Sequence, residues 1–196
     1  MGLRGSMDYY DKNAEDFYNN TVDVDMQPLY EAFIKRLPEH AALVDAGCGS
    51  GRDSRFFLSQ GFSVIAFDQS KSLTDKACEL IGQPVYTESF LSMKLPVDSQ
   101  DGIWACASLL HVSFNELSET CEHMAKWLKS GGVFYCSFKY GDSECQRGDR
   151  LFTDMNESRL HSVLENTRLE LESTWITGDR RKGRRDERWL TVLLKK

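Results

Sequence analysis

An α/β domain built on a mostly parallel sheet is the fold class this sequence predicts, and three observations predict it. Short runs rich in Val, Ile and aromatic residues alternate with amphipathic helical stretches. Several of those runs are apolar with little alternation, as strands covered on both faces are. Near the end the alternation breaks, and two strand-like runs joined by a short polar link must pair as a hairpin. The last strand is therefore antiparallel. At 196 residues the chain suits a single domain, 7–196, able to bury its own core. The opening "MGLRGSM" reads as an expression remnant over 1–6 ahead of Met7.

"YYDKNAEDFYNNT" (9–21) reads as a helix, and "AALVDA" (41–46) as the first strand. "RDSRFFLSQ" follows as a helix stopped by Gly61, then "FSVIAF" as strand 2. The helix "KSLTDKACELI" stops at Gly82; "PVYT" and "DGIWACA" are strands 3 and 4. "FNELSETCEHMAKWLK" predicts a helix with Gly131 as its stop, and "VFYCSFKY" is strand 5. After the helix "MNESRLHSVLEN" come strand-like "RLELESTWIT" and "RWLTVLLKK". Right-handed crossovers between such elements give a doubly wound sheet.

Composition excludes several functions. A net charge of -6 argues against a generally basic nucleic-acid surface. No apolar run approaches a membrane span, and no signal peptide opens the chain. The six cysteines form no C-x-x-C pair, which suits free thiols in the reducing cytoplasm, and Cys and His do not cluster at zinc-ligand spacing. A monomer or weak dimer is expected.

The turn after strand 1, "DAGCGSGRD", carries the chemistry. Ligands of doubly wound sheets bind beyond the carboxyl ends of the strands, where this turn sits. Gly47, Gly49 and Gly51 let the backbone approach a ligand. A dinucleotide fingerprint needs G-x-G-x-x-G, but the third glycine comes one residue early and Arg52 follows it; no Gly-Lys-Ser/Thr marks a phosphate loop. Asp68, at the end of strand 2, lies about twenty residues on, where a carboxylate accepts both ribose hydroxyls. The ligand therefore contains a nucleoside. A structural turn at the glycines and a helix N-cap at Asp68 are the plainer alternatives.

Asp45 with its D-x-G-x-G-x-G, Asp68 after strand 2 and the antiparallel final strand resemble the class I S-adenosylmethionine-dependent methyltransferases. "LVDAGCGSGRDSRFF", "DGIWACASLLHV" and "GGVFYCSFKYG" resemble, more narrowly, the small bacterial methyltransferases labelled tellurite-resistance-related. The resemblance covers the chain from about Met7. It implies a Rossmann-like seven-stranded sheet with strand 7 between strands 5 and 6, and S-adenosylmethionine as cofactor. Gly47, Cys48 and Gly49 would pass under its methionine and ribose, with Asp45, Gly51 and Arg52 completing the motif. Asp68 would hold the ribose and Gln69 would stand beside the adenine. Of Glu88, Ser89 and Phe90, the resemblance favours Ser89 for the adenine amino group, with Phe90 as a ring neighbour. Ala105 and Cys106 would line the sulfonium. Tyr10, with Tyr18 in reserve, would reach the methionine end.

His111 follows strand 4 on the substrate side, where it is either a general base or a loop histidine holding a carbonyl. The loop "GDRRKGRRDER" (178–188) holds six basic and three acidic residues, so it is locally cationic in an acidic chain. Topology hangs it beside the pocket, where Arg180, Arg184 or Arg185, with Lys139, Tyr140 and Arg147 after strand 5, would draw in an anionic small molecule. A solvated hairpin tip is the plainer alternative. The rival functions are an RNA methyltransferase, disfavoured by the overall charge, a non-catalytic S-adenosylmethionine-binding protein, and a nicotinamide oxidoreductase, disfavoured by Arg52.

Overall fold

Alternate residues of each central strand face opposite layers, and that period of two sets the architecture. In the computed structural model, which describes residues 8–181, 183–184 and 186–196, Val44, Ile103 and Phe134 pack on one side of the sheet. Leu43, Trp104 and Tyr135 pack on the other. The expected 1–6 remnant, Met7 and Arg185 lie outside the described residues.

Residues 8–12 are helical (α1), followed by α2 (Ala14–Thr21), α3 (Gln27–Ile34) and β1 (Ala42–Ala46). Then come α4 (Arg52–Ser59), β2 (Ser63–Asp68), α5 (Lys71–Ile81), β3 (Tyr86–Thr87) and β4 (Gln100–Ala105). A single 3-10 turn, Leu109–His111, precedes α6 (Phe114–Ala125) and β5 (Leu128–Lys139). The chain ends with β6 (Glu144–Arg147), β7 (Arg150–Thr153), α7 (Glu157–Leu164), β8 (Glu170–Gly178) and β9 (Arg188–Lys195).

The main sheet has seven strands in the order β3-β2-β1-β4-β5-β9-β8. β1 to β5 pair in parallel, whereas β9 runs antiparallel to both β5 and β8. The expected antiparallel final strand between strands 5 and 6 is therefore present. Leu117, Cys121 and Met124 of α6 and Leu160 of α7 cover one face. Tyr30 and Phe33 of α3 and Phe57 of α4 cover the other. Trp104 and Tyr135 stack at 3.7 Å between ring centroids.

Three features depart from the sequence reading. α3 was not anticipated, although Pro28 in its first turn and Leu29, Tyr30 and Phe33 on one buried face mark it. Gly131 does not stop α6, which ends near Lys126; it bends the start of a longer β5. The β6-β7 hairpin occupies a stretch that the sequence leaves as loop.

Candidate active site

Three carboxylates surround the turn after β1, and their environments separate their roles. Asp53, in the first turn of α4, takes Nε and a terminal nitrogen of Arg52 and also accepts from the Tyr30 hydroxyl and the Trp104 indole. Burial opposes its charge, yet the Arg52 guanidinium and these donors hold its carboxyl below the usual range. Asp45 accepts only the Ser54 hydroxyl, at 2.6 Å. Burial first, then the neighbouring Asp53 charge, pushes it up to about 8. Asp45 thus holds its proton more tightly than an ordinary aspartate, beneath the turn. It is absent from the cleft lining, which corrects its expected place against the cofactor.

Asp68 closes the turn from the end of β2. Its two oxygens accept the N–H groups of Gly49 (3.0 Å) and Ser70 (2.9 Å). The Phe67 carbonyl takes the N–H groups of Gly47 and Cys48, and the Cys48 carbonyl takes that of Gly51. These glycine-loop donors are spent within the protein, and acids ring the loop. A pyrophosphate needs the reverse, free N–H groups in a positive field. The turn is therefore not a phosphate cradle.

Close packing explains two of the glycines. A Cβ on Gly47 would stand 2.5 Å from Cβ of Ser108, and its φ of +77° already disfavours a side chain. A Cβ on Gly51 would meet the Ala77 backbone at 3.0 Å. Gly51 serves the packing of α4 on α5 and does not line the cleft.

The cleft beyond these strand ends has a volume of about 890 Å³, within the size range of small-ligand sites. Gly47, Cys48, Gly49, Asp68, Gln69 and Phe90 line one end. Glu88 also lines it, whereas Ser89, the residue the resemblance favours, bonds to Ser92 and is not part of the lining. Ala105 is fully buried behind the wall and only Cys106 reaches it. Burial, then the Asp53 charge, pushes the Cys106 thiol up to about 12. It stays protonated at neutral pH and is no nucleophile.

Tyr10 and His111 meet on the cleft wall, with Phe17 between Tyr10 and the Gly49 turn. Nδ1 of His111 donates to the Leu151 carbonyl at 2.7 Å, so Nε2 carries the lone pair and accepts the Tyr10 hydroxyl at 2.8 Å. Desolvation lowers His111 to about 4 and raises the Tyr10 phenol. Both groups are neutral at pH 7. Tyr18, the reserve, lies outside the cleft lining beneath Lys76.

The cationic loop does border the cleft, but those of its described cations that line the cleft are paired. Arg180 bonds to Asp25, Arg181 to Asp179, and both Arg184 and Lys139 face Glu187. Arg147 is paired with Asp154. Tyr140 turns away to Glu157, beneath the Arg188 guanidinium, and is not part of the lining. The sequence reading also missed Arg150 and Phe152 of β7, which line the cleft. Their signal was present: Gly148-Asp149 is a two-residue hairpin link between "ECQR" and "RLFT".

Residues 44–136 match the family model described as a methyltransferase domain. Comparison with curated proteins returns no sequence match. The 1,6-didemethyltoxoflavin-N1-methyltransferase of Burkholderia thailandensis, solved with 1,6-didemethyltoxoflavin and S-adenosylhomocysteine bound, is similar at a TM-score of 0.80. Identity is 20%, over 99% of this chain and 87% of that one. An S-adenosylmethionine-dependent methyltransferase of Methanosarcina mazei gives 0.75 at 17% identity, over 88% and 98% of the two chains. The 4+2 cyclase SpnF gives 0.76 at 15%, over 97% and 94%. These likenesses concern the fold, which does not by itself choose a chemistry.

The family match covers the strands that build the turn: residues 44–136, just under half of the chain, are similar to a methyltransferase domain, on a seven-stranded sheet of the order the resemblance implies. S-adenosylhomocysteine is bound in the Burkholderia thailandensis neighbour, and the residues present here fit the corresponding sulfonium nucleoside. Each Asp68 oxygen accepts one backbone N–H and keeps lone-pair capacity for a ribose hydroxyl. Glu88 and Asp68 put negative charge where a sulfonium nucleoside brings positive charge and donors.

Proposed function

We propose that the chain methylates a small anionic acceptor seated in the cleft beyond the cofactor. S-adenosylmethionine supplies an electrophilic methyl group when bound. The protein's work is to hold the acceptor in line and exclude water, a positioning effect that contributes up to about 7–11 kcal/mol. In this reading Gly47, Cys48, Gly49, Asp68, Gln69, Glu88 and Phe90 hold the cofactor, with Tyr10 at its methionine end. The acceptor approaches past Lys139 and the 178–188 loop. A carboxylate, a phosphorylated metabolite or a chalcogen oxyanion fits this description; the last is the substrate class to which the tellurite-resistance resemblance points. The free cysteines suit work in the reducing cytoplasm.

The observation that supports the reading is that one cleft is lined both by the strand-end acids Asp68 and Glu88 and by the cations Lys139, Arg147, Arg150, Arg180, Arg181 and Arg184. Incubation with labelled methyl donor across oxyanions, small acids, thiols and bulk tRNA tests it. Label is expected in a small anion; transfer to tRNA alone would replace the acceptor class.

The Tyr10-His111 pair bears on the acceptor too. A histidine held near 4 is a weak base at pH 7, so the site suits an acceptor that arrives with its lone pair free. Protonating His111 removes the acceptor for the Tyr10 hydroxyl. Because its value is depressed, activity is expected to hold as pH falls through 6.5 and to drop only towards 4. An acid limb at 6.5 in the kcat/KM profile would instead make His111 an ordinary exposed base.

Arg180 and Arg184 form exposed pairs, which are worth at most about 1 kcal/mol each and exchange readily for a ligand. The double variant Arg180→Glu, Arg184→Glu is expected to raise KM for the anion about tenfold and leave S-adenosylhomocysteine affinity within twofold. Unchanged KM would make the loop a solvated tip.

A further inference from the structure

Among the cations that line the cleft, Arg150 is the one without a carboxylate partner among the described residues. The residues outside that description, 1–7, 182 and 185, include no Asp or Glu. Its Nε is shut off from solvent and donates to no acceptor. A buried donor left unmet is costly, and acceptor atoms of a ligand would relieve that cost.

Three aromatic rings surround this guanidinium. Cζ of Arg150 lies 4.0 Å from the Tyr9 ring centroid, 5.0 Å from Phe152 and 5.8 Å from Tyr10. Phe152 in turn stands 5.0 Å from the His111 ring. The site also lies close to the glycine turn, because the Tyr10 ring is 5.1 Å from Phe17, whose edge is 3.0 Å from where a Gly49 Cβ would be. An aromatic chamber thus contains one planar, uncompensated cation two rings, Tyr10 and Phe17, away from the glycine turn.

We infer that Arg150 seats the anionic group of the acceptor, and that the acceptor is a small aromatic acid. Its ring lies among Tyr10, His111 and Phe152, and its carboxylate takes parallel N–H bonds from the guanidinium edge. This deepens the methyl-transfer reading and rests on it for the acceptor's role, though not for the binding itself. Ionised at neutral pH, such an acid suits a site whose histidine is a poor base.

Benzoate is the probe, titrated calorimetrically into protein saturated with S-adenosylhomocysteine. Wild type is expected to bind it, Arg150→Gln to bind at least tenfold more weakly, and Arg150→Lys to recover only part, because an ammonium lacks the planar fork. Benzamide, neutral and of the same shape, is expected to bind all three alike. S-adenosylhomocysteine affinity, within twofold throughout, reports that the variants fold. Benzoate bound equally by Arg150→Gln, or not bound by loaded wild type, overturns the assignment. Failure of wild type to take up S-adenosylhomocysteine strikes the methyltransferase reading instead; the dependence of benzoate on Arg150 is then read in the protein alone.

Discussion

Asp68→Ala is expected to lower S-adenosylhomocysteine affinity at least a hundredfold. A hydrogen bond to a charged group is worth about 1.5–3 kcal/mol. Two ribose hydroxyls on one carboxylate therefore amount to roughly 3–6 kcal/mol, and each 1.4 kcal/mol is tenfold. The substitution also frees the N–H groups of Gly49 and Ser70, which Asp68 now holds. The glycine turn loses its tether to β2 as it loses its ligand contact. Asp68→Asn keeps the shape and part of the acceptor capacity, so a smaller loss is expected. Acidity should act in the same direction. Burial raises the Asp68 carboxyl above its ordinary value despite the backbone donors. The charged form binds, so affinity should fall with pH earlier than an unperturbed aspartate would allow. Calorimetry on both variants and across pH checks this; unchanged affinity in Asp68→Ala removes the ribose assignment.

Much of this was legible because the signals are local. Glycines at alternate positions between a strand and a helix, and an acid at the next strand end, state a ligand turn in a few residues. The strand runs were legible for the same reason, since burial on both faces leaves them apolar. What sequence could not resolve is which acid faces the ligand and which faces the core. Asp45, Asp53 and Asp68 read alike. Only packing makes Asp45 the buried acid under Ser54, Asp53 the anchor of Arg52, Tyr30 and Trp104, and Asp68 the half-buried acid that lines the cleft. Ser89 and Glu88 differ for a similar reason: neighbours in a strand-end loop diverge, and Ser92 captures Ser89. The β6-β7 hairpin escaped because its residues are mostly polar and half exposed, so no hydrophobic period marks it. Yet that hairpin delivers Arg150 and Phe152 to the cleft. The acceptor wall was thus the least legible part of the site, while the cofactor turn was the clearest.

Gly47→Ala and Gly51→Ala separate the two tasks of the turn, ligand approach and helix packing. The φ angles are +77° at Gly47 and +78° at Gly51, a conformation that costs an alanine about 1–2 kcal/mol. Both are also crowded, and overpacking adds about 1–3 kcal/mol. At about 2–4 °C per kcal/mol for a chain of this size, each variant is expected to melt about 5–15 °C lower. They should differ in response to ligand. At Gly47 the new methyl collides with Ser108, whose hydroxyl is fixed on the Ala46 carbonyl at 2.7 Å, and it points towards Phe90 at 3.5 Å. Relief can come only by moving the turn or the β4 loop, and both line the cleft. At Gly51 the methyl presses on Ala77, behind the cleft. Thermal melts with and without S-adenosylhomocysteine are therefore expected to show the ligand-induced rise abolished in Gly47→Ala and kept in Gly51→Ala. Equal rises in both would mean that the backbone at Gly47 bends for packing alone, and the cofactor would have to lie elsewhere in the cleft.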